Sequence, residues 1–270
     1  MSLTRKDRLQ ALGLSPAWRL RTPSLANIEQ GAYEPEVALL EVALPEAKLP
    51  QATLPQAVPP PTVAPEPEVM AKPEASPVKQ MDWDALNAAI KSCTRCDLAK
   101  SRTQSVPGVG DIHAEWLFVG EAPGANEDRE GEPFVGDAGK LLDAMLFAIG
   151  LKRGENVFIA NVLKSRPPGN RDPQPNEVAA CLPYLERQIE LIQPKLIVAL
   201  GRFAAQNLLV TDTPIGKLRG QVHQYRGVPL VVTYHPAYLL RNPLDKAKVW
   251  EDLVLARDTM NNLKNPNPAA

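Results

Sequence analysis

Trp116-Leu117-Phe118-Val119-Gly120-Glu121-Ala122-Pro123-Gly124 is the stretch that decides the fold. Its apolar half has no polar alternation, which is how a strand buried on both faces reads. It then breaks into glycine, a carboxylate and proline, the composition of a turn. Three more runs share this character: Val157–Val162, Leu196–Leu200 and Leu230–Tyr234. Helical spacing lies between and after them. Leu141, Leu142, Met145, Leu146 and Ile149 form one face, and Val178, Leu182, Leu185, Ile189 and Ile192 another. Val249, Trp250, Leu253 and Val254 mark a C-terminal helix. Strands alternating with helices predict an α/β fold: a three-layer α/β/α sandwich on a four-stranded parallel sheet.

Parallel sheets bind ligands beyond the carboxyl ends of their strands. The first run ends at Gly120 and Glu121, the second carries Asn161, the third ends at Gly201 and the fourth runs into His235-Pro236. A carboxylate, an amide and an imidazole are therefore expected at one sheet edge. One histidine alone is more often structural, but three polar groups at equivalent strand ends indicate a shared site.

Three stretches around these residues occur in order: GEAPGANEDREGEPFVGDAGKLLDAML from Gly120, NVLKSRPPGNRDPQPNEVAAC from Asn161, and HPAYLLRNP from His235. Together they closely resemble the family 4 uracil-DNA glycosylases, with the likeness running from about Cys93 to Leu255. The resemblance implies cleavage of the N-glycosidic bond of a flipped-out uracil. On that likeness Glu121 and His235 are the catalytic pair. His235 donates toward the uracil O2, and Glu121 organises the water or the sugar cation. Asn161 reads the base edge, Phe134 stacks on the ring, and the backbone at Gly120 and Ala122 approaches it closely. Glu127 and Asp128 are candidate supporting acids. Lys164, Arg166 and Arg171, with basic residues near Arg219, are expected to contact DNA. Leu239, Leu240 and Arg241 are expected to fill the gap left by the base.

The same resemblance implies a four-cysteine [4Fe-4S] cluster that holds loops near the DNA. Cys93, Cys96 and Cys181 match three ligand positions, and Ser165 stands at the fourth. A hydroxyl is a hard, weakly acidic donor, whereas these clusters take soft thiolates. Either the cluster persists in weakened form, with Ser165 or water as ligand, or it is absent and the corner is packed without it. Three cysteines do not make a disulfide framework.

Outward from this body the composition changes. The 270 residues include 28 prolines, and eleven of these fall between Pro35 and Pro77. Leu44-Pro45, Leu49-Pro50, Leu54-Pro55 and Val58-Pro59 repeat there, predicting a disordered, semi-rigid tether. The expected organisation is a head at 1–28, a linker at 29–80 and a body at 81–270. The head carries five basic groups against one acid, and residues 29–78 carry eight glutamates against two lysines. The body is near neutral, so its bulk charge does not announce nucleic acid. No apolar run reaches the ~18 residues of a membrane span, and no secretory h-region follows Met1; a cytoplasmic protein is expected.

The head combines a short helix pattern after Thr4, with Leu9 and Leu12 on one face, and a basic segment holding Trp18 and Leu20. A helix this short is marginal alone, which suits folding on a partner. The run RKDRLQALGLSPAWRLRTPSL resembles the N-terminal peptide of the psi subunit of the bacterial DNA polymerase III clamp loader. That likeness implies docking on clamp-loader subunits through Leu9, Leu12, Trp18 and Leu20, with chi as a further partner. Two functions stand open: a replisome-tethered uracil-DNA glycosylase with a monomeric body, or a psi-type subunit with a non-catalytic glycosylase domain. Excision of another deaminated base such as hypoxanthine fits Asn161 less well.

Overall fold

The computed structural model describes residues 77–265. The head, with Leu9, Leu12, Trp18 and Leu20, and nearly all of the linker lie outside the described residues. The strands are β1 (Val109–Gly110), β2 (Trp116–Gly120), β3 (Val157–Asn161), β4 (Leu196–Leu200), β5 (Val222–Tyr225) and β6 (Val228–Thr233). They form one mixed sheet in the order β1-β3-β2-β4-β6-β5.

The four central strands are the four apolar runs, and they pair in parallel. The expectation of a purely four-stranded sheet is corrected at both edges, where β1 and β5 add antiparallel strands. Both are short, and β5 alternates in exposure instead of presenting an apolar run. A two-residue turn joins β5 to β6 with Arg226 at φ 48° and Gly227 at φ 86°. Positive φ at both central positions matches the right-handed twist of a hairpin.

The helices are α1 (Trp83–Lys91), α2 (Leu98–Ser101), α3 (Ala125–Glu130), α4 (Asp137–Ala148), α5 (Pro175–Ile192), α6 (Arg202–Leu209), α7 (Ile215–Leu218), α8 (Pro236–Arg241) and α9 (Lys246–Lys264). Residues of β2 point alternately to two cores. Leu117 and Val119 pack with Leu185 and Ile189 of α5 and Ala205 and Leu208 of α6. Trp116 and Phe118 pack with Leu142 and Met145 of α4 and Leu253 and Ala256 of α9. Both faces are thus covered by helices, which is why the central strands carry no polar side chain before their last residues, Asn161 in β3 and Thr233 in β6. Burying each Leu, Ile or Val stabilises the fold by about 1.5–3 kcal/mol, so the sheet is a rigid base for the groups at its ends. A smaller cluster of Val78, Leu86, Ile90 and Tyr184 fastens the start of the body to α5.

Candidate active site

A cleft of about 750 Å³ opens where β2, β3, β4 and β6 end, and Glu121, Ala122, Phe134, Asn161, Gly201 and His235 line it. Gly120 and Asn161 are register partners at the ends of β2 and β3. The ladder continues past them, because Val162 N–H donates to Gly120 O at 3.0 Å and Leu163 N–H to Glu121 O at 3.0 Å. Those bonds fix the backbone from which Asn161 and Glu121 project.

Asn161 is 2% exposed, and its Oδ1 is buried without a hydrogen-bond partner. Leaving a buried acceptor unpaired costs about 1–3 kcal/mol, so such an atom calls for a ligand or another stated cause. Its backbone carbonyl is held, since Lys164 Nζ donates to it at 2.8 Å.

Phe134 takes φ 57°, the left-handed region that a bulky residue rarely enters. Its carbonyl accepts from Arg153 Nη2 at 2.9 Å, while Arg153 Nη1 donates to Pro133 O at 3.0 Å. Asp143 anchors the same guanidinium at 2.8 Å. Gly139 completes the clamp, because a Cβ there would lie 1.8 Å from Phe134 O. The ring is thereby set 5.3 Å from the His235 ring at an interplanar angle of 30°. The strain is local and sits where a base-sized ligand would rest.

His235 leads into α8 as its N-cap, and Ala237 N–H donates to His235 Nδ1 at 3.1 Å. With Nδ1 accepting, the neutral ring carries its proton on Nε2. Burial pushes the His235 pKa down to about 4; Arg241 adds to this and Glu127 opposes it. The ring is enclosed on most sides although one edge meets the cleft. Gly201 permits this packing, since a Cβ there would be 2.9 Å from His235 Cβ. Glu121 is partly buried, and its pKa is raised by desolvation and by Asp172, with Arg202 acting in the opposite sense.

The geometry is that of a slot with an amide, an aromatic face, a neutral imidazole donor and a carboxylate. The family model described as the uracil DNA glycosylase superfamily matches residues 107–254. The chain belongs to the uracil-DNA glycosylase superfamily. A type-4 uracil-DNA glycosylase of Archaeoglobus fulgidus is 53% identical over 168 residues, covering 59% of this chain and 84% of that protein. One from Thermotoga maritima is 43% identical over 178 residues, covering 64% of this chain and 92% of its own. A type-5 uracil-DNA glycosylase of Pyrobaculum aerophilum is 34% identical over 150 residues, covering 50% and 66% respectively.

Several residues of this glycosylase body stand elsewhere than the sequence suggests. Glu127 lines the cleft but is occupied as a clamp. Its Oε1 accepts from Val135 N at 3.1 Å and its Oε2 from Gly124 N at 3.1 Å. Asp128 is buried and accepts from Thr103 N at 2.9 Å, so it ties a neighbouring loop rather than serving the cleft. Lys164 is corrected as a DNA contact: it is 1% exposed, with Nζ also donating to Gln188 Oε1 at 2.7 Å. Leu239 is corrected as an inserting residue, because it is 1% exposed within the core beneath α8. Leu240 is 49% exposed, and its neighbour Arg241 lines the cleft. Arg166 donates to Asn170 at 2.8 Å, and Arg171 pairs with Glu177 at 2.9 Å while lining the cleft. Arg219 is taken up by buried Asp252 at 2.7 Å.

The cysteine corner offers three thiols and one hydroxyl as donors. Cys93 and Cys96 are partly buried and Cys181 is buried. Burial pushes the Cys181 thiol up to about 11. Ser165 Oγ accepts from Arg102 Nη1 at 2.7 Å. Among the described residues, Cys, His, Asp and Glu side chains do not gather in threes as a metal-ligand set. Three thiols and a hydroxyl already engaged by a guanidinium do not fit a four-thiolate cluster.

Proposed function

We infer that this chain is a uracil-DNA glycosylase that removes uracil by hydrolysing its N-glycosidic bond. The single observation that carries the residue assignment is the buried, unpartnered Oδ1 of Asn161, a residue that lines the cleft. A carboxamide there complements uracil: Oδ1 accepts from N3–H, and Nδ2–H donates to O4. Cytosine presents no proton at N3 and a donor at position 4, so both contacts would be lost. A site built on hydrogen bonds rejects a ligand that leaves them unmade.

The remaining groups divide the work. Phe134 supplies the stacking face that replaces the neighbouring base. His235 is neutral and donates from Nε2 to the uracil O2, where negative charge develops as the bond to C1′ breaks. A preorganised neutral donor of this kind is worth about 10²–10³ in rate. The Glu121 carboxylate faces the opposite change: it stabilises positive charge on the sugar and orients water for attack at C1′. Water adds to C1′ and gives its proton to the Glu121 carboxylate, and uracil leaves with the bonding pair as its N1 anion. Exposed Leu240 and cleft-lining Arg241 occupy the space the base vacates.

The head extends the same proposal. Leu9, Leu12, Trp18 and Leu20 dock on clamp-loader subunits and place the enzyme near the replicase, in the cytoplasm. The likeness of residues 5–25 to a psi peptide is the support for this. Losing clamp-loader capture in a full chain carrying Leu12→Ala and Trp18→Ala is the expected result; unchanged capture contradicts it.

The activity is tested on single- and double-stranded oligonucleotides bearing one uracil, cytosine, thymine or hypoxanthine. Free base release and alkali-labile abasic sites are expected for uracil alone. Equal release of hypoxanthine would contradict the role given to Asn161.

A further inference from the structure

A four-thiolate cluster at this corner would join three segments of chain: the Cys93–Cys96 loop, the exit from β3 at residue 165, and α5 at Cys181. Those same segments are joined here by hydrogen bonds. Arg102 lies just beyond α2 and spreads its guanidinium over two of them. It donates to Lys91 O at 3.2 Å, Cys93 O at 2.8 Å and Ser165 Oγ at 2.7 Å. The third junction is made by Lys164 N–H, which donates to Cys181 Sγ at 3.4 Å. The β3 exit is pinned again from the other side, where Val106 N–H donates to Lys164 O at 2.8 Å.

We propose that in this chain a metal-free clasp centred on Arg102 and Ser165 takes the place of an iron–sulfur cluster. Serine suits that role as cysteine would not. Its small hydroxyl accepts a guanidinium hydrogen bond at close range, while sulfur is a weak acceptor. Ser165 is buried, so the bond is shielded from water and from salt. The planar fork of Arg102 binds two carbonyls through Nη2 and one hydroxyl through Nη1, a spread over two nitrogens that the single ammonium of a lysine does not have. The apolar side of the corner is closed as well: Leu98 is buried, and Cys96 packs on the same core. The loop at Arg166–Arg171, which lines the cleft through Pro167, Asn170 and Arg171, thus hangs from a hydrogen-bonded junction, and uracil excision here does not depend on iron.

The full chain is purified without oxygen from iron-replete cells, and iron, acid-labile sulfide, visible absorbance and thermal midpoint are measured. Ser165→Cys, Ser165→Ala, Arg102→Ala and the double variant Arg102→Ala/Ser165→Ala are treated alike. The expected wild-type protein is colourless, with substoichiometric iron and sulfide. Arg102→Ala and Ser165→Ala each lower the midpoint, and the double variant loses clearly less than the sum of the two. Stoichiometric iron and sulfide in the wild type would overturn the proposal. So would additive losses in the double variant of an iron-free protein, since those residues would then not act as a pair. Ser165→Cys adds a direct contrast: gaining colour while wild type has none supports the account. Iron content is read whether or not uracil is released, so failure here and failure of the glycosylase assignment remain distinct.

Discussion

Gly120 and Asn161 lie side by side at the ends of β2 and β3, so close that a Cβ on Gly120 would fall 2.4 Å from Asn161 Oδ1. The same Cβ would meet Phe134 Cζ at 2.6 Å. One missing methyl group therefore leaves room for both the reading amide and the stacking ring. Gly120→Ala should displace both by a fraction of an ångström or more. A misplacement of about 1 Å costs about 10²-fold in rate. Steady-state kinetics on a uracil oligonucleotide, with circular dichroism to verify folding, would show it; a folded variant with wild-type kcat/KM would refute the close-approach role.

The acid side of the pH profile separates His235 from Glu121. With His235 depressed to about 4 from 6.5, its neutral donor persists throughout the neutral range. Folding is linked in the matching sense. The unfolded imidazole takes up a proton below about 6.5 while the folded one does not, so stability is full above that pH and declines as pH falls toward 4. Glu121 is raised by burial above its ordinary 4.5, so kcat should fall as acid protonates it before His235 titrates. Glu121→Gln should be slow, with that limb flattened. An inflection near 6.5 that disappears in His235→Gln would contradict the neutral imidazole.

Lys164 is expected to shape stability rather than DNA affinity. Burial lowers its pKa from 10.5 to about 7, yet an amine still offers hydrogens to Asn161 O and Gln188 Oε1. The unfolded chain keeps the proton up to 10.5, so wild-type stability should climb as pH rises from about 7 toward that value. Its slope relative to Lys164→Met is at most about 1.4 kcal/mol per pH unit. Denaturant unfolding across that range is the measurement, and parallel curves for the two proteins would refute it. Salt dependence of DNA binding should be the same in both, since a buried ammonium touches no phosphate.

Asp128 and Glu127 are neighbours with different expected phenotypes. Asp128→Ala leaves the amides of Thr103 and Gln104 without their acceptor. It should lower stability by about 1–3 kcal/mol with little change in kcat for the folded enzyme. Glu127→Ala releases both Gly124 and Val135, which flank the cleft, and should reduce kcat as well. A loss of kcat in Asp128→Ala as large as that in Glu127→Ala would remove the distinction.

How far the sequence discloses the site depends on whether the cause is local. Glu121, Asn161 and His235 are legible because each lies at or just past the carboxyl end of an apolar run, and parallel pairing brings such ends together. Lys164 and Leu239 are not placed by sequence alone because each stands shortly before an arginine, Arg166 or Arg241, while the partners that bury it are distant. Gln188 lies 24 residues from Lys164, and the core under Leu239 is drawn largely from other elements. The left-handed Phe134 depends on Arg153, 19 residues away, and on the bare backbone of Gly139. Arg102 shows the same limit: nothing local marks it as the partner of Ser165, 63 residues on. The edge strands leave no mark in the sequence because two residues at Val109–Gly110 and four at Val222–Tyr225 hold too little apolar pattern.

The central claim is that Asn161 and His235 act on uracil at this sheet edge. Single-turnover release of uracil from one oligonucleotide, measured for wild type, His235→Ala and Asn161→Ala at saturating enzyme, tests it most directly. Wild type should release uracil quantitatively, with His235→Ala slower by about 10²–10³ and Asn161→Ala impaired while losing its preference for uracil over cytosine. No release by the folded wild-type protein, or wild-type rates in both variants, would contradict the account.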